Sequence, residues 1–210
     1  MAKPKTNNDT LEPGSVFKVM ISDRIKEECG WDNITWSYIQ GLSKAIESVP
    51  SNYVRNCDKG GDGRFHVERV FAYELYYRWK KLLYSDEEVL TDIMLNAELT
   101  KHYYSLEQYG FPDLLLHGGY NVYDKQIIIC EIKSSRNQIE DSALEKDMKS
   151  LRDGINVLSF KCGVFIYLGV DVSSIILRLR NILRKIDFDD RKKLIFIGVD
   201  GRIPCQYVIL

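Results

Sequence analysis

The chain has 210 residues, of which 45% are hydrophobic, and this is enough apolar material for one substantial domain with a single core. Its formal net charge of −1 excludes the strongly basic field of a small nucleic-acid-binding module, so any basic surface must be local. The five cysteines are scattered and show no C-x-x-C spacing, which argues against a zinc or redox site.

The N-terminal third of the chain divides into a tail and a helical extension. Residues 1–14 are polar and contain two prolines and a glycine, which predicts a mobile tail. They lack the apolar segment of a signal peptide, and no later apolar run is long enough to span a membrane, so we expect a cytoplasmic protein with no membrane partner. Residues 15–64 predict an extension of two helices joined around Cys29 and Gly30, followed by a loop from position 50.

Residues 65–210 hold the predicted core, which begins with a long helix over residues 67–83. This helix is apolar or aromatic over most of its circumference, so we expect it to pack on more than one side. Glu74 emerges within that apolar surface. It is either a functional carboxylate or an ordinary ion-pair partner of Arg78, four residues later.

Short apolar runs then predict strands near residues 95–99, 113–117 and 126–133, of which the second and third form an antiparallel hairpin. An amphipathic helix over 141–153, ended by Gly154, leads to a strand with the sequence CGVFIYLG. A second amphipathic helix and the strand KLIFIGV follow. The order predicts an α/β fold with a mixed sheet that has helices on both faces.

Three charged residues are expected to meet at one end of the hairpin. Strand alternation places Glu131 and Lys133 on the same face of the third strand. Asp113 follows Pro112, which fits the first residue of a strand, and hairpin pairing brings it opposite Glu131. Buried charges are costly unless they are paired or bind a metal. Glu131 could instead pair with Lys133 or with a neighbouring helix.

Pro112-Asp113, a hairpin and then Glu131-Ile132-Lys133 resemble the motif of the PD-(D/E)xK nuclease superfamily. The helix that carries Glu74, and the sequence Asn96-Ala97-Glu98, are similar to the helix glutamate and strand that precede this motif in many members. The resemblance spans roughly residues 65–170. It implies a restriction-endonuclease-like fold, in which helix, hairpin, apolar strand, helix and strand follow in the family's order.

The resemblance also implies a metal site. Asp113 and Glu131 would hold Mg²⁺, for which Mn²⁺ can substitute, with the Ile132 carbonyl as a further oxygen ligand. Glu74 or Glu98 would complete the shell. Magnesium prefers such hard oxygen ligands and bridges readily to phosphate.

Lys133 would orient or activate the attacking water and offset charge that grows on the phosphate. Arg136, just past the motif, is the nearest candidate for a contact with the nucleic-acid backbone. Arg178, Arg180 and other basic residues of the penultimate helix are either a solvated face or further phosphate contacts.

The sequence therefore predicts a metal-dependent nuclease that cleaves nucleic acid, with DNA as the expected partner and a restriction or phage-defence role. A homodimer stays open, because a double-strand break often needs two sites. Two alternatives remain. The fold could be an inactive nuclease relic that binds nucleic acid or protein, or the charges could form an inert structural network.

Overall fold

The structure is a computed structural model that describes residues 17–18, 23–55, 64–84, 92–97, 112–119, 122–134, 139–168, 172–188, 193–199 and 206–209. The helices are α1 (Asp23–Cys29), α2 (Asn33–Ser48), α3 (Ser51–Arg55), α4 (Arg64–Leu83), α5 (Asp141–Asn156) and α6 (Val172–Lys185). The strands are β1 (Phe17–Lys18), β2 (Met94–Ala97), β3 (Leu114–His117), β4 (Gln126–Ser134), β5 (Cys162–Leu168), β6 (Leu194–Val199) and β7 (Gln206–Ile209).

The strands form one mixed seven-stranded sheet in the order β1-β7-β6-β5-β4-β3-β2. Its centre is parallel, because β4, β5 and β6 are joined through the crossover helices α5 and α6. The β3–β4 hairpin and the edge strands pair antiparallel. The predicted mixed sheet, including the antiparallel hairpin, is confirmed.

Helices cover both faces of this sheet, as predicted. One apolar cluster joins α2 and α4 to the sheet through side chains such as Leu42 and Trp79. The other cluster joins α5 and α6 to the opposite face through side chains such as Leu151 and Leu179. In the described ranges, no helix is long and apolar enough to cross a membrane.

The N-terminal segment differs from the prediction in two elements. Phe17–Lys18, predicted within the first helix, instead form strand β1, because they pair with β7 at the far end of the chain and local spacing does not show that pairing. Helix α1 ends at Cys29, Gly30 takes a left-handed φ of 67°, and α2 starts at Asn33, so the predicted break at Cys29 and Gly30 is confirmed. The side chain of Asp32 caps α2 by accepting a 2.6 Å hydrogen bond from the Thr35 N–H. The short helix α3 occupies positions that were predicted as loop, because turn residues and a lack of periodicity hide a single helical turn.

Strand β4 separates the two apolar layers. Its residues are buried from Gln126 through Ile132, which is what a strand covered on both faces requires. Cys130 and Ile132 belong to the layer of α2 and α4, whereas Ile129 belongs to the layer of α5 and α6. Strand alternation therefore turns Glu131 towards α5.

The prediction that Gly154 ends helix α5 is wrong, because the helix continues to Asn156. Gly154 instead lies against β4. A Cβ atom at this position would be 2.5 Å from Cδ1 and 3.3 Å from Cγ2 of Ile129. The missing side chain lets α5 approach the strand closely.

We predict that Gly154→Ala destabilises the fold by about 1 kcal/mol or more, because overpacking against Ile129 outweighs the helix preference of alanine. In an Ile129→Val background, which removes Cδ1, the same substitution should cost less. Urea unfolding of the wild type, the two single variants and the double variant measures this coupling. An equal cost in both backgrounds would contradict the close approach of α5.

Candidate active site at the end of strand β4

Backbone pairing fixes Asp113 beside the end of β4. The Asp113 N–H donates to the Cys130 carbonyl at 3.0 Å, and the Ile132 N–H donates to Asp113 Oδ2 at 2.6 Å. Since Leu114 is paired with Cys130, Asp113 stands opposite Glu131, as the hairpin predicted. Strand β3 begins only at Leu114, and the side chain of Asp113, rather than its backbone, accepts the hydrogen bond of the Ile132 N–H.

The carbonyl oxygen of Ile132 also lies beside Asp113. In an antiparallel ladder, the N–H and C=O of one residue face the same neighbouring strand. Because the Ile132 N–H bonds Asp113, the Ile132 carbonyl also faces the β3 side. Backbone and side-chain oxygens therefore meet where β3 starts.

Glu131 is a buried carboxylate with one strong partner. Its side chain is 7% exposed, and Ser150 Oγ donates to Glu131 Oε1 at 2.6 Å. Burial raises the pKa of Glu131 well above its usual value, and the negative charges of Asp113 and Asp147 raise it further. The Ser150 hydrogen bond and Lys133 oppose this shift without cancelling it.

Asp113 is affected in the same direction. Burial raises its pKa from 3.8 to about 6, against the lowering effects of the Ile132 N–H and Lys133. Glu68 and Asp147 add to the rise. Two carboxylates are thus held together in a poorly solvated place, where each disfavours ionisation of the other.

Lys133 pairs with Asp147 of helix α5, with 3.1 Å between Nζ and Oδ2. Burial lowers the pKa of Lys133, but the negative charges of Asp147, Glu68 and Glu131 outweigh burial and raise it. The ammonium group therefore stays protonated near neutral pH. This favours a role as a fixed positive charge over a role as a general base.

The helix carboxylate that reaches this cluster is Glu68. Its Oε1 accepts hydrogen bonds from the Ser134 N–H at 2.7 Å and from Ser134 Oγ at 3.2 Å. Glu74, the residue named from the sequence, instead forms a 2.6 Å ion pair with Arg78. The two glutamates are six positions apart, which places them about 120° from each other around the helix.

A signal for Glu68 was present in the sequence. Position 68 continues the buried stripe of Ala72, Leu75 and Trp79 at spacings of four, three and four residues. A charged side chain at the start of a stripe of buried residues needs a hydrogen-bond partner, and Ser134 is that partner. Asp147 and Ser150 could have been noticed in the same way, because these polar residues lie among the apolar positions on one side of α5. Both are buried in the structure.

Two predicted site residues, Glu98 and Arg136, lie outside the described residues. Arg178, considered as a phosphate contact, donates to Asp141 Oδ1 from Nε at 2.9 Å and from an Nη atom at 2.6 Å. It also donates to the Ile139 carbonyl. These contacts give Arg178 a structural role, connecting α6 to the start of α5.

The described residues contain no group of three or more histidine, cysteine, aspartate or glutamate side chains arranged to hold a metal. Magnesium in proteins is often held by only one or two carboxylates and keeps several waters. The observed hydrogen bonds leave room for this, because Asp113 accepts through Oδ2 and Glu131 accepts through Oε1. Their hard oxygens and mutual repulsion fit a divalent cation.

Comparison of this chain with protein-family models, with curated proteins and with solved structures gives no match. Its function is therefore inferred from the side chains at the end of β4 and from the strands that place them.

The raised pKa of Asp113 has a consequence for stability. A carboxyl whose pKa is higher in the folded state stabilises the fold below pH 3.8, and that contribution is lost as the pH rises through about 6. We therefore predict that, without metal at pH 7.5, Asp113→Asn is more stable than wild type by about 2 kcal/mol. The amide oxygen can still accept the Ile132 hydrogen bond.

Urea unfolding in EDTA between pH 4 and pH 8 measures this difference. The stability gain of Asp113→Asn should grow with pH across the window from about 4 to 6. A gain that does not change with pH would contradict the raised pKa of Asp113.

Proposed function

We propose that this chain is a metal-dependent nuclease that hydrolyses phosphodiester bonds in nucleic acid, with DNA as the expected substrate. The observation that carries the proposal is the meeting of Asp113, Glu131 and Lys133 at one end of β4. A buried glutamate and a half-buried aspartate beside a protonated lysine match the resemblance to the PD-(D/E)xK motif. A purely structural core does not need these three charged side chains, because apolar side chains in their place would cost less to bury.

The order of elements supports a restriction-endonuclease-like core. Helix α4 precedes the meander of β2, β3 and β4, and the crossover helix α5 leads to the parallel strand β5. Asp113 lies just before β3 of the hairpin, and Glu131 and Lys133 both lie on β4. This is the arrangement that the resemblance implies.

Asp113, Glu131 and the Ile132 carbonyl would hold Mg²⁺. When bound, Mg²⁺ supplies Lewis acidity, which makes hydroxide available near neutral pH and draws charge from the phosphate oxygens. Asp113 and Glu131 must both be ionised to bind a cation, so affinity should increase as the pH rises through their raised pKa values.

Lys133 would stabilise the transition state by charge. In hydrolysis, the water oxygen bonds to phosphorus, the bond to one sugar oxygen breaks, and negative charge grows on the phosphate oxygens and the leaving oxygen. A protonated lysine in a poorly solvated site stabilises that charge. The attacking water transfers its proton to solvent, and the leaving oxygen takes one up.

The competing function is an inert charged network in a structural domain. It is favoured by the internal partners of the cluster, since Lys133 pairs with Asp147 and Glu131 accepts from Ser150. An inert network would show no turnover with any metal. It would also be destabilised by loss of a charged partner.

We predict that the purified chain cleaves plasmid or single-stranded DNA with Mg²⁺ or Mn²⁺. Glu131→Gln and Lys133→Ala should each lower the cleavage rate about 100-fold or more, because each removes charge from the reacting centre. The control is Glu145→Gln, which changes an exposed α5 carboxylate paired with Lys149 and should cleave at the wild-type rate.

Gel assays of initial cleavage rates, with folding checked by circular dichroism, measure the effect. Failure of the wild type to cleave with either metal would contradict the nuclease proposal and favour the inert network. So would equal cleavage by wild type and Lys133→Ala.

A further inference from the structure

One face of helix α5 contacts the two charged motif residues of β4, Glu131 and Lys133. Asp147 Oδ2 lies 3.1 Å from Lys133 Nζ, and Ser150 Oγ donates to Glu131 Oε1 at 2.6 Å. Residues three apart lie on one side of a helix, and residues two apart lie on one face of a strand. The two contacts therefore belong to one register between α5 and β4.

Gly154 makes a third contact between α5 and β4 in the same register. It follows Ser150 by four residues, on the same side of α5, and lies against Ile129, two residues before Glu131. Residue numbers increase along the helix while those of the contacted strand positions decrease. Helix α5 thus runs antiparallel to β4, and its close approach at Gly154 sets how near its polar side chains lie to the motif.

Asp147 and Ser150 are polar residues on the inward side of α5, and their burial requires partners on β4. Asp147 is 8% exposed and Ser150 is 6% exposed, within a helix whose buried positions are mostly apolar, including Leu144, Met148 and Leu151. A buried carboxylate or hydroxyl without a partner costs stability. Their partners are the two motif side chains.

The ion pair with Asp147 also affects what Lys133 can do. A lysine ammonium sits on a flexible four-carbon stem, and Glu131 and Asp113 attract it. A lysine bound to those acids would compensate their charge and compete with a cation. In the structure, the ion pair of Lys133 is with Asp147.

We propose that Asp147 and Ser150 are positioning residues: Asp147 holds the Lys133 ammonium away from the two acids, and Ser150 fixes the orientation of the Glu131 carboxylate, so that both acids stay available to a divalent cation. This proposal rests on the proposed function. Neither residue touches the cation or the substrate.

The test is isothermal titration of the full-length chain with Mg²⁺ alone at pH 7.5, with folding checked by circular dichroism and thermal unfolding. Loss of a residue that orients a metal ligand commonly costs about 10- to 100-fold in affinity. Asp147→Asn and Ser150→Ala should each weaken Mg²⁺ binding about tenfold.

A second substitution separates positioning from general damage to the fold. Lys133→Met removes the competing ammonium, so the Asp147→Asn/Lys133→Met double variant should bind Mg²⁺ within about threefold of wild type. The same substitution should not rescue Ser150→Ala, whereas Ser150→Thr, which keeps the hydroxyl, should retain affinity. The matched control is Asp153→Asn on α5, an equally buried acid paired with Arg152.

The outcomes distinguish the two proposals. If wild type binds Mg²⁺ and loses it in Glu131→Gln, but Asp147→Asn and Ser150→Ala bind as wild type does, the positioning role is overturned and the nuclease proposal stands. A weakened Asp147→Asn that Lys133→Met fails to rescue also overturns the role of Asp147. A wild type that binds no Mg²⁺ overturns the proposed function and the positioning role with it.

Discussion

Two neighbouring carboxylates of like charge at the end of an apolar strand, one buried (Glu131) and one half-buried (Asp113), are the constraint around which this structure is arranged. Burial raises the pKa of both Asp113 and Glu131, so each ionised group destabilises the fold unless a positive charge or a hydrogen-bond donor compensates it. The Ile132 N–H, Ser150 and Lys133 supply that compensation from three directions. A protein that keeps such a pair accepts lower stability, which is typical of a functional site.

The main features of the fold could be predicted from local patterns. The apolar run of β4 indicated a central strand, and the order of elements indicated a mixed sheet with helices on both faces. Two details could not be predicted in this way. Helix α3 is too short for periodicity to be detected, and Gly154 was interpreted as a helix end because only the folded chain shows that it packs against Ile129.

The candidate site could be predicted only in part, for a related reason. Strand alternation and hairpin pairing are local rules, and they were sufficient to bring Asp113 to Glu131. Which face of α4 meets β4 depends on tertiary packing, so Glu74 was chosen where Glu68 makes the contact. Asp147 and Ser150 were missed because the register between α5 and β4 also depends on tertiary packing, although their place in the apolar stripe of α5 was visible.

The central claim is that the acids at the end of β4 form a cation site. Its most direct test is a crystal structure of the chain grown with Mn²⁺ near pH 7.5, with anomalous scattering recorded to locate the metal. We expect an anomalous peak in contact with Asp113, Glu131 and the Ile132 carbonyl oxygen, while Lys133 stays paired with Asp147. A structure in which Mn²⁺ is absent from these oxygens, or in which Lys133 binds Glu131 directly, would contradict that claim.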